Sequence, residues 1–379
     1  MKAVVSDEVR RLRLSLGAWR RLANRIDRSC ARLKWRTVLL YWVTGVCYSL
    51  LIRIQDASRA DALNLAVPPP PVFLLGFWRS GTTFLHELFC CDPQFGFPST
   101  YACLNPSHFL LTEMWIREQK TQEVSFRPMD NMRYSWVSPQ EDEFALLALG
   151  APSPYEALIV PSLMRNARWL LDLRQRSSEE QQRWEGVLRH FLRLLTLQQG
   201  KTMVLKSPPH GFRLPLLPAL FPQARYVIIQ RNPYEVFASN LRLWRKLIDL
   251  YSLESPSGED IESFILAAYL VHEDTIAEGV PEIATGSLAR VRYEDLVADP
   301  VGQMSRLYAE LGIKDFTTVQ PLLQEYLVRV AKHERNRLVL SPAQRMAIDA
   351  AWGPLIKKKG YDWPKDHISL ECATPRTTG

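Results

Sequence analysis

The residues best equipped for chemistry are Gly76-Phe77-Trp78-Arg79-Ser80-Gly81-Thr82-Thr83, a glycine-bounded loop with one cation and three hydroxyls. The apolar run Pro71–Leu75 before it reads as a buried strand, and Thr83–Phe89 after it as the first turns of a helix. A strand, a loop and a helix N-terminus aim free backbone N–H groups and the positive end of a helix dipole at one point. Such a point binds anions, and Ser80, Thr82 and Thr83 add donors to it. The two glycines keep Walker A spacing, but Thr82 stands where that motif has its lysine, and the loop's cation is Arg79. Without that lysine the loop is poorly equipped to bridge β- and γ-phosphates, which weakens an ordinary ATPase reading.

Three further apolar runs supply the elements that must position this loop. Thr202–Lys206 ends in Ser207-Pro208-Pro209-His210, Arg225–Gln230 ends in Arg231-Asn232-Pro233, and Ser287–Tyr293 leads into Glu294-Asp295. Helical patterns separate these runs, so the fold class is α/β, a central parallel sheet flanked by helices. Ligands of such sheets collect at the carboxyl ends of the strands, where Lys206, Arg231 and Tyr293 lie. Residues 100–200, Trp-rich and helical, read as an insertion that caps the site and helps hold a substrate. Within it, Arg127–Met132 reads as a loop shaping the acceptor pocket. Glu141-Asp142-Glu143 precedes an apolar helix, where acids complement the dipole.

With 379 residues and 47% hydrophobic content, the chain can bury a sizeable core. The six cysteines show no metal-ligand spacing and are expected to be reduced; Asn105-Pro106-Ser107 is blocked for glycosylation by its proline. Both point to a cytoplasmic catalytic domain. Charge is uneven. Residues 1–36 carry eleven Lys or Arg and three Asp or Glu, a balance of +8 against +7 for the whole chain, so the remainder sums to −1. The basic character belongs to an arm, and no nucleic-acid partner is expected. Apolar residues Val9, Leu12, Leu16, Trp19, Leu22, Ile26, Cys30 and Leu33 recur at helical intervals and predict one amphipathic helix. Thr37–Ile52 then runs sixteen residues without a charge, short of the roughly 18 to 20 needed to cross a bilayer. Residues 8–54 are therefore expected to pack on the catalytic domain or, by self-association, on a partner subunit, with membrane-surface contact and a signal anchor as the alternatives. Pro68–Pro71 separates this region, residues 1–67, from a catalytic domain spanning 71–379.

At this point the chain resembles a known family. The Phe-Trp-Arg-Ser-Gly-Thr-Thr loop, Arg231-Asn232-Pro233 with Ser239 eight residues after Arg231, and Arg292-Tyr293-Glu294-Asp295-Leu296 look like the signature of sulfotransferases of the bacterial type. Those enzymes carry a P-loop-like fold and use 3′-phosphoadenosine 5′-phosphosulfate (PAPS) as co-substrate, with no metal expected. By that resemblance Arg79, Ser80, Gly81, Thr82 and Thr83 would hold the 5′-phosphosulfate and Arg231 and Ser239 the 3′-phosphate. Tyr293 and Phe84 would approach the adenine. Lys206 would stabilise the transferring group, and Arg79, at a position often held by a catalytic lysine, would act by charge, since arginine stays protonated at any working pH. The implied activity is transfer of a sulfuryl group to a hydroxyl or amine. An ATP- or GTP-dependent P-loop kinase and a non-catalytic nucleotide-binding protein are the alternatives.

An attacking hydroxyl must lose its proton. His210 and Glu141 are the candidate bases, with a structural hydrogen bond as the other reading of His210; His86 and His108 read as core or capping residues. Lys357-Lys358-Lys359-Gly360 resembles loosely a basic loop that closes on PAPS, and is explained equally by a helix C-terminus. The acceptor stays open among small-molecule, carbohydrate, lipid and peptide hydroxyls.

Overall fold

The computed structural model describes residues 12–120, 125–126, 133–330, 338–364 and 368–370. The Arg127–Met132 loop and Val9 lie outside the described residues. The sheet is built from β1 (Val72–Leu75), β2 (Phe95–Gly96), β3 (Thr202–Lys206), β4 (Arg225–Gln230) and β5 (Leu288–Arg292). Their order is β2-β3-β1-β4-β5 and every pairing is parallel. Four of the five strands coincide with the apolar runs of the sequence. The edge strand Phe95–Gly96 is too short to leave such a pattern.

The strands read as continuous apolar runs because both faces are covered. Phe73 and Leu75 pack with Leu205, Tyr226 and Ile228 on one side, while Val72 and Leu74 pack with Val204, Val227 and Ile229 on the other. Register sets the ends of the strands side by side. Leu74 pairs with Lys206, Leu75 with Ile228, and Gln230 with Arg292. The residues that leave these strands therefore emerge at one edge.

The helices include α1 (Leu16–Ala23), α2 (Trp35–Ser58), α3 (Thr82–Phe89), α4 (Glu143–Leu149), α5 (Ser178–Gln199), α6 (Pro233–Tyr251), α7 (Gly258–Gly279) and α8 (Pro342–Lys358); Phe109–Lys120, Pro300–Glu310 and Phe316–Val330 are helical as well, with shorter turns between. The single amphipathic helix expected over the N-terminal arm is broken. α1 ends at Ala23, and Asp27 caps a separate turn, Arg28–Leu33, by accepting from the Ser29 N–H at 2.8 Å. A carboxylate that satisfies a free N–H starts a new helix more cheaply than it sits inside an old one. The uncharged run belongs to the 24-residue α2, longer than its uncharged part.

This arm packs onto the body of the enzyme. Trp19 stacks on Tyr41 with centroids 4.6 Å apart, and a Cβ on Gly45 would stand 3.2 Å from the Leu16 backbone. The Ser15 N–H donates to the Ala148 carbonyl of α4 at 2.8 Å. Trp19 and Tyr41 share one apolar cluster with Phe77, Trp78 and Tyr155. The arm thus braces the wall of the anion loop.

Candidate functional site

The anion loop is shaped by two left-handed residues. Gly81, at φ 98°, caps α3, and Arg79 adopts φ 67°, where an L side chain is strained. Neither loop glycine tolerates a side chain. A Cβ on Gly76 would lie 2.5 Å from Ser80 Oγ, and one on Gly81 would lie 2.2 Å from the ring of Tyr293. Tyr293 starts the turn after β5, so the third motif of the sequence rests directly on the first.

The second motif joins them. Arg79 Nε donates to Ser239 Oγ at 2.8 Å, and Arg231 Nη1 donates to the Arg79 carbonyl at 3.2 Å. The Arg231 guanidinium lies 4.4 Å over the Tyr293 ring. Its Nε, at 2.9 Å, and Nη2 donate to Glu235 one helical turn on. Arg79, Gly81, Arg231, Ser239 and Tyr293, drawn from three segments, therefore form one cluster. Phe84 packs half-buried on the same side of the sheet as Tyr293.

The other half of the site lies at the end of β3. Lys206 Nζ donates to Glu141 Oε1 at 2.9 Å and reaches Thr83 Oγ1 at 3.5 Å. The lysine is buried, whereas 18% of the Glu141 side chain reaches solvent. Tyr155 donates its hydroxyl to Glu141 Oε2 and accepts the Trp78 indole N–H at 3.1 Å. Burial, then the Glu141 charge, push the Tyr155 phenol well above its ordinary value, so it stays a donor. Asn240 Nδ2 holds the Trp78 carbonyl at 2.7 Å.

His210 does not join this arrangement. It is fully buried, its Nε2 lies 2.7 Å from Asp142 Oδ2, and its ring meets the edge of Phe73. Asp142 Oδ1 accepts from Ser207 Oγ at 2.7 Å. Burial raises the Asp142 pKa, but the charge and hydrogen bond of His210 outweigh it, and the net shift is downward. Of the two readings of His210, the structural hydrogen bond is the one its geometry serves. Glu143 likewise turns inward, to a bidentate pair with buried Arg213 at 2.6 and 2.8 Å. The acids of 141–143 thus do more than complement a dipole: each neutralises a different buried cation or imidazole. His86 Nε2 meets the Val204 carbonyl at 3.2 Å in the core, and His108 Nδ1 meets Thr112 Oγ1 at 2.9 Å.

The basic segment at Lys357–Gly360 ends α8, with Gly360 left-handed at φ 66°. Lys359 pairs with Glu273 at 2.6 Å, and its carbonyl accepts from Arg292. Tyr155, Trp78, Asn240 and Glu235 are the site residues that sequence reasoning passed over. Glu235 had a signal, its i,i+4 spacing from Arg231. Asn240, next to Ser239, had only adjacency, and Tyr155 none.

The residues present fit a nucleotide with two separate anionic groups. Ser80 Oγ is buried and finds no hydrogen-bond partner among the described residues. Neither glycine has room for a Cβ, so the loop backbone is bare toward a ligand, and Ser239 keeps its own O–H to donate. Fold and site together define a P-loop-like α/β transferase built around an anion-binding loop. Residues 70–318 match the Sulfotransferase family, and the chain belongs to it. The omega-hydroxy-beta-dihydromenaquinone-9 sulfotransferase Stf3 of Mycobacterium bovis is 35% identical over 351 residues, 92% of this chain and 90% of that protein. The protein of the same name from Mycobacterium tuberculosis gives the same values. Sulfotransferase STF9 from Mycobacterium avium shares the fold at TM-score 0.65 and 16% identity, covering 92% of this chain and 97% of that one. STF1 from Mycobacterium tuberculosis H37Rv does so at TM-score 0.59 and 19% identity, covering 91% and 90%. The protein is a sulfuryl-transferring enzyme, and neither the kinase nor the non-catalytic reading is favoured.

Proposed function

We propose that the enzyme moves a sulfuryl group from PAPS to the hydroxyl of an apolar, lipid-like alcohol, without a metal ion. The observation that carries the co-substrate is the meeting of three motifs in one cluster, because a nucleotide with separate 5′ and 3′ anions needs two linked cation-and-donor sites. PAPS, when bound, supplies the activated sulfuryl group and a phosphate leaving group. Ser80, Thr82, Thr83 and the N–H groups of Gly81 and α3 hold the phosphosulfate end. Arg231 and Ser239 hold the 3′-phosphate, and Tyr293 with Phe84 flank the adenine. Lys206 and Arg79 are fixed cations that meet the charge growing on the leaving side.

Glu141 Oε2 or Oε1 takes the proton of the acceptor hydroxyl. The Glu141 side chain still reaches solvent, whereas His210 is sealed inside and already bonded to Asp142. Tyr155, which holds Glu141, packs between the rings of Trp78 and Phe144, and an aromatic neighbourhood suits an apolar acceptor better than a sugar. The name of the 35% identical relative, which specifies a hydroxylated menaquinone, favours the same class. The catalytic unit on this reading is residues 71–379, cytoplasmic, with residues 1–67 as an arm whose apolar face suits a membrane surface or a second copy.

The test is a search for sulfated products in a cell extract supplied with PAPS, comparing the enzyme with its Arg79→Ala variant. A product that appears with both proteins, or with neither, removes the assignment.

A further inference from the structure

α2 presents an apolar stripe to the outside along most of its length. Leu39, Trp42, Val43, Val46, Leu50 and Ile54 are all exposed, and Leu39, Val43, Val46 and Leu50 have more than half their surface free. Intervals of three and four put them on one side of the helix. From Leu39 to Ile54 the stripe runs roughly 22 Å at 1.5 Å per residue. A contiguous apolar patch of this kind marks an interaction surface.

The opposite side of α2 is held down. Tyr41, Gly45 and Gln55 are buried. Gln55 Nε2 donates to the Pro106 carbonyl at 3.0 Å and Oε1 accepts from Leu110 N–H at 3.0 Å. Ser49 Oγ accepts from the Leu16 N–H at 2.9 Å. The helix is fixed lengthwise along the protein with one face outward. Crossing a bilayer would strip those contacts, whereas lying flat on one keeps them all.

Charge selects the occupant. No charged residue falls between Arg36 and Arg53, and both are exposed at the two ends of the stripe. Arg28, Arg32 and Arg59 are exposed nearby, only partly offset by Asp27 and Asp61. In a two-fold pair of these faces the helices would run antiparallel and set Arg36 against Arg53 of the second copy; a parallel pair would set each against itself. Cation would face cation either way, which disfavours a second copy. Lipid phosphates complement the same pattern, and arginine and tryptophan side chains sit well at headgroup depth. We propose that α2 lies flat in the headgroup region of an anionic bilayer, with Leu39, Val43, Val46 and Leu50 sunk toward the acyl chains. The inference concerns where the enzyme sits and stands whether or not its acceptor is a lipid. α1 ties the docked surface to α4, into which Glu141 leads, through the Ser15–Ala148 hydrogen bond and the Arg21 contact with Gly150.

Flotation of the full-length enzyme with phosphatidylcholine vesicles, and with vesicles containing roughly one-third phosphatidylglycerol, tests this. Wild type should float with the anionic vesicles. Val46→Asp/Leu50→Asp should lower that fraction by roughly tenfold or more, and Arg36→Glu/Arg53→Glu should abolish the preference for anionic lipid. Both variants should keep wild-type PAPS binding and turnover on a short soluble alcohol, which shows that they fold. Sedimentation velocity on the same proteins examines the alternative. Wild type that stays off anionic vesicles overturns the proposal, and so does a dimer that Val46→Asp/Leu50→Asp dissociates.

Discussion

Arg79 Nε donates to Ser239 Oγ at 2.8 Å, so the loop after β1 and the helix after β4 are joined by their functional side chains. The contact places one guanidinium between the two proposed anion subsites. Its position also explains the left-handed backbone of Arg79, because the Arg79 carbonyl is at the same time the acceptor for Arg231. Arg79→Ala is expected to cut turnover more than PAPS affinity, since its charge matters most as the leaving group forms. Ser239→Ala removes a hydrogen bond to a charged guanidinium, about 1.5 to 3 kcal/mol, and should weaken nucleotide binding by roughly tenfold or more. Calorimetry and initial rates on both variants check this; equal losses in affinity and turnover for Arg79→Ala would be the wrong pattern.

Arg231→Ala should erase discrimination between 3′,5′-bisphosphoadenosine and nucleotides that lack the 3′-phosphate. A charge-assisted bidentate contact is worth on the order of 1.5 to 3 kcal/mol. The change also strands the carboxylate of Glu235, 8% exposed in its side chain, so a moderate loss of stability accompanies it. Arg231→Ala/Glu235→Ala separates the two effects. If the double variant regains stability and still prefers the 3′-phosphate, Arg231 does not bind that group.

Binding of 3′,5′-bisphosphoadenosine should persist in EDTA, because the proposed anion subsites are made of protein cations and donors. A phosphoryl-transfer site would instead need a metal to neutralise its nucleotide. Loss of the calorimetric signal on chelation, with recovery on adding Mg²⁺, would contradict the metal-free reading.

The strands and the anion loop were legible because each announces itself locally. A buried parallel strand is a run of apolar residues, and a loop that must approach an anion closely needs glycine and hydroxyls at fixed spacing. Arg231 was expected near that loop because it follows the end of such a run, and Ser239 because of the family resemblance. Tyr155 was not. Its contact with Glu141 joins two parts of the insertion, and a tyrosine before an apolar run looks the same in any core. The partners of the acids at 141–143 were not legible, because consecutive residues at a helix start face three directions, and sequence spacing does not say which partner waits in each. His210, four residues past Lys206, suggested proximity, but the 3₁₀ turn Pro208–Arg213 carries it into the core instead.

The end of α8 gives a pH dependence. Burial raises the Glu273 pKa, but the hydrogen bond with His272 and the Lys359 ammonium outweigh it and bring it from 4.5 to about 2. A carboxylate lowered by folding stabilises the fold above its ordinary value, and that stability is lost as pH falls through the folded value. Its contribution, on the order of 3 kcal/mol, should therefore be complete above pH 4.5 and vanish between 4.5 and about 2. Urea midpoints measured down this range should converge for wild type and Lys359→Met. A constant gap at all pH values would mean that Lys359 stabilises the fold without Glu273.

Glu141 is the proposed base, and three variants isolate it. Glu141→Gln keeps the shape and removes the basic oxygen, so the rate should fall roughly 10²- to 10⁴-fold and the acid limb of the pH–rate profile should disappear. Tyr155→Phe removes the hydroxyl that donates to Glu141 Oε2. The carboxylate is then held less firmly, so kcat should fall with KM for PAPS unchanged. A tyrosine that served packing alone would leave kcat in place. His210→Ala should behave differently from both. It leaves Asp142 buried without its imidazole partner, at a cost of about 3 to 5 kcal/mol, so His210→Gln, which still donates to Asp142, is the informative change. The assignment requires that His210→Gln retain the acid limb and most of the rate on an alcohol acceptor. A His210→Gln enzyme without that limb, beside a Glu141→Gln enzyme that keeps it, would transfer the role of base to the histidine.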